Sequence, residues 1–398
     1  MQTRPMQIKS LIYTAVLVLT SLTLSACGGQ RVTSTIVTPL EHQTLAVEES
    51  QLLDLAVLPF DPGLDKPEIA DDPAISPAVR NAESQYLANK LASTIQKTSA
   101  WGAVRTVPNR QTVVDVYVEG TIVHSDGETL ALDISVSDSS NRHWYTKPYS
   151  ESVGQYAYEK GINVSRDPFQ GLFNHIANDL LQYRQQLSAK NVKELRSISS
   201  LKFARDFSPE AFGDHIKETP GGQLEIIRLP AENDPILRRI ERIRERDYLF
   251  VDTMQEHYDA FSHRMDKPYQ SWRMATYEEI ASVRELKRQS RNRTIGGIVA
   301  VIGGIVAAGN NNGAVRSAGA VSIGAGALLV KSGLSKKAEL KIHEDVLAEL
   351  GQSLEAEIEP RVIELEDRTI TLTGNAEAQY TQWKALLREI YQAERGEI

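Results

Sequence analysis

Residues 114–137 read VDVYVEGTIVHSDGETLALDISVS, and this stretch decides the fold. In its second half Leu130, Leu132, Ile134 and Val136 alternate with small or polar residues, the period-two pattern of a strand with one buried face. The Ser125-Asp126-Gly127 turn joins that strand to the apolar run Val114–Val123. Two strands linked so tightly pair antiparallel.

The pattern extends in both directions. Upstream, Leu53–Phe60 is a short, nearly all-apolar strand stopped by Pro59 and the Asp61-Pro62-Gly63 turn. Tyr86, Leu87, Leu91 and Ile95 share one face of a helix expected over about Pro77–Thr98. Trp101–Pro108 is a second strand. Downstream, the turn Asp138–Asn141 leads to a strand at His143–Lys147. A helix over about Pro168–Gln186 follows, with Phe169, Leu172, Phe173, Ile176 and Leu180 as its apolar stripe. The order β-α-β-β-β-β-α predicts an α+β fold, one sheet with covering helices.

Residues 52–190 therefore form the expected amino-terminal domain. Its opening Leu55-Ala56-Val57-Leu58-Pro59-Phe60, the Trp101–Val107 strand, and the run from Glu119-Gly120-Thr121-Ile122 through Leu130–Val136 to Asp138 and Trp144 resemble two envelope families. These are the periplasmic domain of the CsgG curli-secretion lipoproteins and the TolB amino-terminal domain. The resemblance covers about a third of the chain and rests on fold pattern, without a chemical motif. It implies an envelope scaffold or oligomeric secretion component with no catalytic site in this domain.

The amino terminus supplies an address. Residues 1–26 carry Arg4, Lys9 and no acid, then the apolar stretch Leu11–Leu19, too short to span a bilayer that needs roughly 20 apolar residues. The stretch ends in Leu24-Ser25-Ala26-Cys27-Gly28-Gly29, and Cys27 is the one cysteine of the chain. This resembles the lipobox of bacterial lipoproteins. It implies a signal peptide over 1–26, cleavage between Ala26 and Cys27, diacylglycerol on the thiol, and an acyl group such as palmitate on the new amino terminus. Two or more acyl chains anchor stably where one does not, at about 0.8 kcal/mol per buried methylene. Gly28, where those families place Asp for inner-membrane retention, implies the outer membrane with the body in the periplasm. Residues 27–51 read as a lipidated, polar tether without periodicity.

Residues 191–293 are expected to be helical, broken by a turn and short extended segment at Gly221–Pro230. Leu237, Ile240, Ile243, Phe250, Met254, Tyr258, Phe261 and Met265 follow a helical stripe. Pro268 is expected to kink or end that helix, with a further helix carrying Tyr277, Ile280, Val283 and Leu286. Residues 334–398 form an acidic α-β-β-α unit: a helix with Leu340, Leu347, Leu350 and Leu354, a hairpin about Glu366-Asp367-Arg368, and a final helix striped by Tyr380, Trp383, Leu387 and Ile390.

Between these lies a Gly/Ala-rich apolar hairpin at 294–333. Gly296, Ala300, Gly304 and Ala308 stand four apart, as do Ala318, Ser322 and Gly326, so on helices each set makes a ridge where another backbone approaches closely. Glycine in a soluble helix costs about 1 kcal/mol relative to alanine, so the segment needs a compensating environment. A membrane, the interior of the protein or of an oligomer, and a flexible loop all remain open. Its sixteen-residue first arm reaches roughly 24 Å against a hydrocarbon core of about 30 Å. Basic flanks, Arg284, Lys287, Arg288, Arg291 and Arg293 before and Lys331, Lys336 and Lys337 after, would suit anionic head groups on one membrane face. The alternating faces of a membrane β-hairpin, by which the curli channels cross the outer membrane, are missing here.

Composition narrows the remaining classes. The chain has 398 residues, 41% hydrophobic and 24% charged, enough for two or three domains with real cores. A net charge of -8 argues against a general nucleic-acid binder. One cysteine excludes a disulfide framework and a Cys-ligated zinc site. Gly-x-Ser-x-Gly, His-Glu-x-x-His and EF-hand patterns are missing, and the phosphate-loop mimic at Gly326–Ser332 has Val330 where glycine is required. Asp259, His263, Glu256 and His257 read as a solvated polar face rather than a metal site, Asp133 as exposed, and Trp101, Trp144, Trp272 and Trp383 as core. No metal, cofactor or catalytic residue is assigned. The expectation is a non-enzymatic, lipid-anchored envelope scaffold, forming a homo-oligomer with protein partners. The alternative is an oligomeric pore or membrane-remodelling lipoprotein that inserts residues 294–333.

Overall fold

A computed structural model describes residues 37–65, 75–158, 167–295, 340–353, 360–364 and 369–396. The fold is α+β, as the patterning predicts. Five strands, β1 (Leu55–Val57), β2 (Val104–Thr106), β3 (Val116–Ser125), β4 (Thr129–Asp138) and β5 (His143–Ser152), form a mixed sheet in the order β2-β1-β3-β4-β5. Strand β1 is parallel to both β2 and β3, while β3, β4 and β5 run antiparallel.

Alternation holds where it was read: Leu130, Leu132, Ile134 and Val136 are buried and Asp133 is exposed. Strand β5 extends past Lys147 to Ser152 and includes Pro148, opposite Asp133. Pro148 has no N–H to donate, and β5 tolerates it because it is an edge strand with β4 as its one neighbour. Gly120 is required where β3 passes under Phe60, since a Cβ there would lie 2.7 Å from the Phe60 ring.

Helix α1 (Pro77–Gln96) and α2 (Gln170–Gln186) cover the sheet, burying Tyr86, Leu87, Leu91 and Ile95 from one and Phe173, Ile176 and Leu180 from the other. Residues 37–51, expected within the tether, instead lie along this layer. Asn174 and Asn178 donate to the carbonyls of Thr38 and Pro39 at 2.7 and 2.9 Å, and the Gln43 N–H donates to the Thr98 carbonyl at 2.8 Å. A polar segment without periodicity can thus be held by side-chain amides, which hydropathy does not register.

Helix α3 (Ala189–Phe207) starts at a Ser188–Asn191 capping box, worth about 1 kcal/mol. A two-stranded ribbon, β6 (Ile216–Glu218) with β7 (Leu224–Ile226), occupies the expected break. The largest departure comes next. Helix α4 runs from Pro235 to Ile295 without interruption, 61 residues and roughly 90 Å, through Pro268. Pro268 removes one backbone bond, but Met265, Tyr269 and Trp272 around it are buried in the body. Tertiary burial of that face outweighs the local cost of about 3 kcal/mol. The two helices expected on either side of Pro268 are one.

The carboxy-terminal elements follow the predicted order. Helix α5 spans 340–353. Strands β8 (Arg361–Glu364) and β9 (Thr369–Leu372) pair as a hairpin, and α6 (Ala376–Arg395) packs on α4 through Trp383 stacked 4.8 Å from Phe250.

Candidate functional site

Two places could engage something outside the chain: a polar cleft beside the sheet and the paired helices that lead to the Gly/Ala-rich segment. The cleft, about 690 Å³, lies where the loop before β1 meets α3 and α4. Parallel pairing brings the heads of β1 and β3 together, and with them Asp54 and Asp115. Asp115 accepts from Ser199 Oγ at 2.5 Å and from the Asp54 N–H at 2.9 Å. Arg244 of α4 donates to Ser199 Oγ at 3.2 Å. Asp54 in turn accepts from the Ala103 N–H at 2.9 Å.

Burial pushes the Asp115 carboxyl up, against the opposing pull of Ser199 and the Asp54 N–H. Burial alone would loosen the proton on Arg244, but the Tyr248 phenol and the Asp115 and Asp54 carboxylates around it strengthen its hold. Tyr248 is pushed up to about 12 by burial, with Arg244 opposing. The Tyr248 ring carries Arg105 at 5.0 Å and Arg244 at 5.2 Å. This chain of contacts ties strand heads, α3 and α4 together. Ser199 points its proton at a carboxylate already holding a backbone N–H, which is a fixing geometry rather than a nucleophile presented to solvent.

A second buried cluster fastens α4 to the body. Arg273, fully buried, pairs with Asp167 at 3.0 Å and lies over the rings of Tyr269 and Phe169 at 4.0 and 4.7 Å. Glu83 accepts from Tyr269 Oη and Ser125 Oγ, each at 2.5 Å. Beside it, Gly127 of the β3–β4 turn abuts the backbone of α4, where a Cβ would lie 1.9 Å from the Arg273 carbonyl oxygen.

Beyond that cluster α4 is accompanied by α5. Gly351 lies against Ala82 of α1, whose neighbour Glu83 holds Tyr269. Seven residues earlier, Glu344 is close enough to Glu279 for the two charges to interact. Leu347 between them is fully buried. Helix α5 therefore runs back along α4 in the opposite sense.

Sequence reasoning missed Asp115, Ser199, Arg244 and the Arg273–Asp167 pair. Each is a polar residue inside an apolar or charged pattern, and only tertiary pairing distinguishes it. The Trp side chains are buried as expected. Asp259 accepts from Asn89 and Gln255 at 3.0 and 2.8 Å, which employs it structurally. Among the described residues no His, Cys, Asp and Glu group could hold a metal, and no helix is long and apolar enough to cross a membrane. Ala26, Cys27 and the ridges Gly296, Ala300, Gly304, Ala308, Ala318, Ser322 and Gly326 lie outside the described residues. No protein-family model, curated protein or solved structure matches the chain.

Proposed function

We propose that the chain is a lipid-anchored outer-membrane lipoprotein whose body faces the periplasm and serves, as a homo-oligomer, as a scaffold or assembly component of an envelope or secretion complex. The lipobox-like Leu24-Ser25-Ala26-Cys27 supports the anchor. The CsgG- and TolB-like strand pattern supports the assembly class, and the Ser199 hydroxyl tied to the Asp115 carboxylate supports a binding role for the cleft over a catalytic one.

The observation that carries the reading is the antiparallel pairing of α4 with α5. A 61-residue helix pinned at Arg273 leads away from an α+β body, and its partner returns to the same body. That architecture suits a protein that holds a body at a fixed place relative to a second structure. The same pairing favours the alternative, an oligomeric membrane-inserting protein, because residues 296–339 join two helices that run in opposite senses.

Crosslinking in native membranes tests the two together. Defined oligomers that persist when residues 296–333 are replaced by a short Gly/Ser linker support the scaffold. Oligomers and membrane retention that both depend on that segment support the inserting protein. Monomers alone, with no crosslinked partner, contradict both.

A further inference from the structure

The cleft where the loop before β1 meets α3 and α4 has thirteen lining residues, and none of them is aliphatic. Four are serines and seven are charged: Asp54, Asp115, Glu241 and Glu245 against Lys193, Arg196 and Arg244. Gln51 and Tyr248 complete the wall. Its volume of about 690 Å³ is that of a small-ligand site, but such sites are lined predominantly by apolar side chains and this one is not.

Floor and rim differ. On the floor Asp115, Ser199 and Arg244 are committed to one another and to the backbone. Arg244 keeps one unmet donor there, since its Nε–H is buried and finds no acceptor among the described residues. On the rim, exposed Lys193 and half-buried Ser197 and Ser200 stand at i, i+4 and i+7 of α3, and exposed Glu241 and Glu245 stand one turn apart on α4. Each helix thus turns one polar face to the cleft. Among the described residues none of these five side chains has a hydrogen-bond or ion-pair partner. Lys193 and the two glutamates are opposite in charge and line one space, yet no ion pair joins them: the cleft holds the two faces apart.

We infer that this cleft binds an uncharged, hydroxyl-rich ligand, a short saccharide. The inference rests on the binding role proposed for the cleft and does not depend on the anchor at Cys27. A hydroxyl both donates and accepts. Successive hydroxyls of one sugar can therefore donate to Glu241 and Glu245, accept from Lys193 and Arg244 Nε, and do either with Ser197 and Ser200. Other classes fit worse. An anion would meet four carboxylates against three cations. An acyl chain would strip water from charged groups and return no hydrogen bond. An extended peptide would find no aliphatic wall for its apolar side chains.

Saturation-transfer NMR titration of the purified chain with chitotriose, cellotriose and maltotriose tests this. At least one of these sugars binds with a Kd below about 1 mM, and succinate and trialanine, standing for the anionic and peptide classes, bind at least about tenfold more weakly. Lys193→Ala/Glu241→Ala/Glu245→Ala weakens sugar binding by at least about tenfold, the order expected when hydrogen bonds to charged groups are lost. Glu194→Ala/Glu256→Ala, on the same two helices but outside the cleft, binds like its parent, with circular dichroism confirming that both variants are folded. No saturation transfer to any of the three sugars, succinate or trialanine binding as tightly as the sugars, or a rim variant that binds like its parent overturns the inference. An unmodified Cys27 thiol in cells would fail the anchored reading and leave this result untouched. An acylated, oligomeric chain that binds none of the sugars would fail the inference alone.

Discussion

Arg273 and Asp167 meet at 3.0 Å with both side chains shut off from water, the guanidinium lying against the Tyr269 ring. The pair joins α4 to the segment that precedes α2, and it marks the last point at which the long helix is buried in the body. Arg273→Ala leaves the Asp167 carboxylate in a low-dielectric site without its counter-charge, a loss of about 3–5 kcal/mol. Urea unfolding followed by tryptophan fluorescence measures it, with Trp272 adjacent as the reporter.

Gly127 contacts α4 beside the same pair. In Gly127→Ala the new methyl would meet the Arg273 carbonyl oxygen and the Tyr277 N–H, so the β3–β4 turn and α4 must separate. Overpacking of this kind costs about 1–3 kcal/mol. Limited proteolysis is the direct readout: cleavage in α4 beyond Arg273 accelerates in the variant, while cleavage within α2 is unchanged.

The same turn contains a titratable pair. His124 and Asp126 meet at 2.8 Å, and the hydrogen bond to Asp126 raises the imidazole pKa above its ordinary value of 6.5. Asp126 is held low by His124 and by the N–H groups of Thr129 and Glu128, against the opposing effect of burial. A raised folded-state pKa means the native chain binds the proton more tightly. The resulting stabilisation is fully present below pH 6.5 and is lost as pH rises through the folded value. His124→Asn removes that part of the slope and also shrinks the acid-side contribution of Asp126, which His124 helps to hold low. The half-exposed imidazole keeps the effect small, so NMR titration of His124 is the sharper measurement.

Lys384 of α6 presents a different case. Its ammonium is buried over the Phe203 and Phe207 rings at 4.5 and 5.0 Å, with Asp206 at 3.7 Å, and burial pulls its pKa down. Lys384→Met keeps the aliphatic packing but strips the counter-charge from buried Asp247, whose carboxyl Lys384 holds down against burial, and from Asp206. Removing one partner of a buried charge pair costs about 3–5 kcal/mol. The midpoint of urea unfolding therefore falls below that of the parent.

These contacts also explain what could be read from the sequence. Alternation at Leu130–Val136 and the stripes of α1 and α2 respond to one buried face each, so local pattern was enough. Pro268 does not end the helix because a proline's cost is local, whereas Met265, Tyr269 and Trp272 keep α4 helical through it by their burial in the body. The docked stretch 37–51 was hidden because asparagine amides hold it, and Asp115, Ser199 and Arg244 because they converge from three elements. Pairing of α4 with α5 was equally out of reach, since no single-helix pattern states which neighbour a helix chooses.

An anchored body is the premise that the scaffold reading needs most, and intact-mass spectrometry of the protein extracted from membranes addresses it. The account predicts a chain beginning at Cys27, heavier than the 27–398 polypeptide by a diacylglycerol and one fatty acyl group, with no such species in Cys27→Ser. A chain beginning at Met1, or one carrying an unmodified Cys27 thiol, contradicts it.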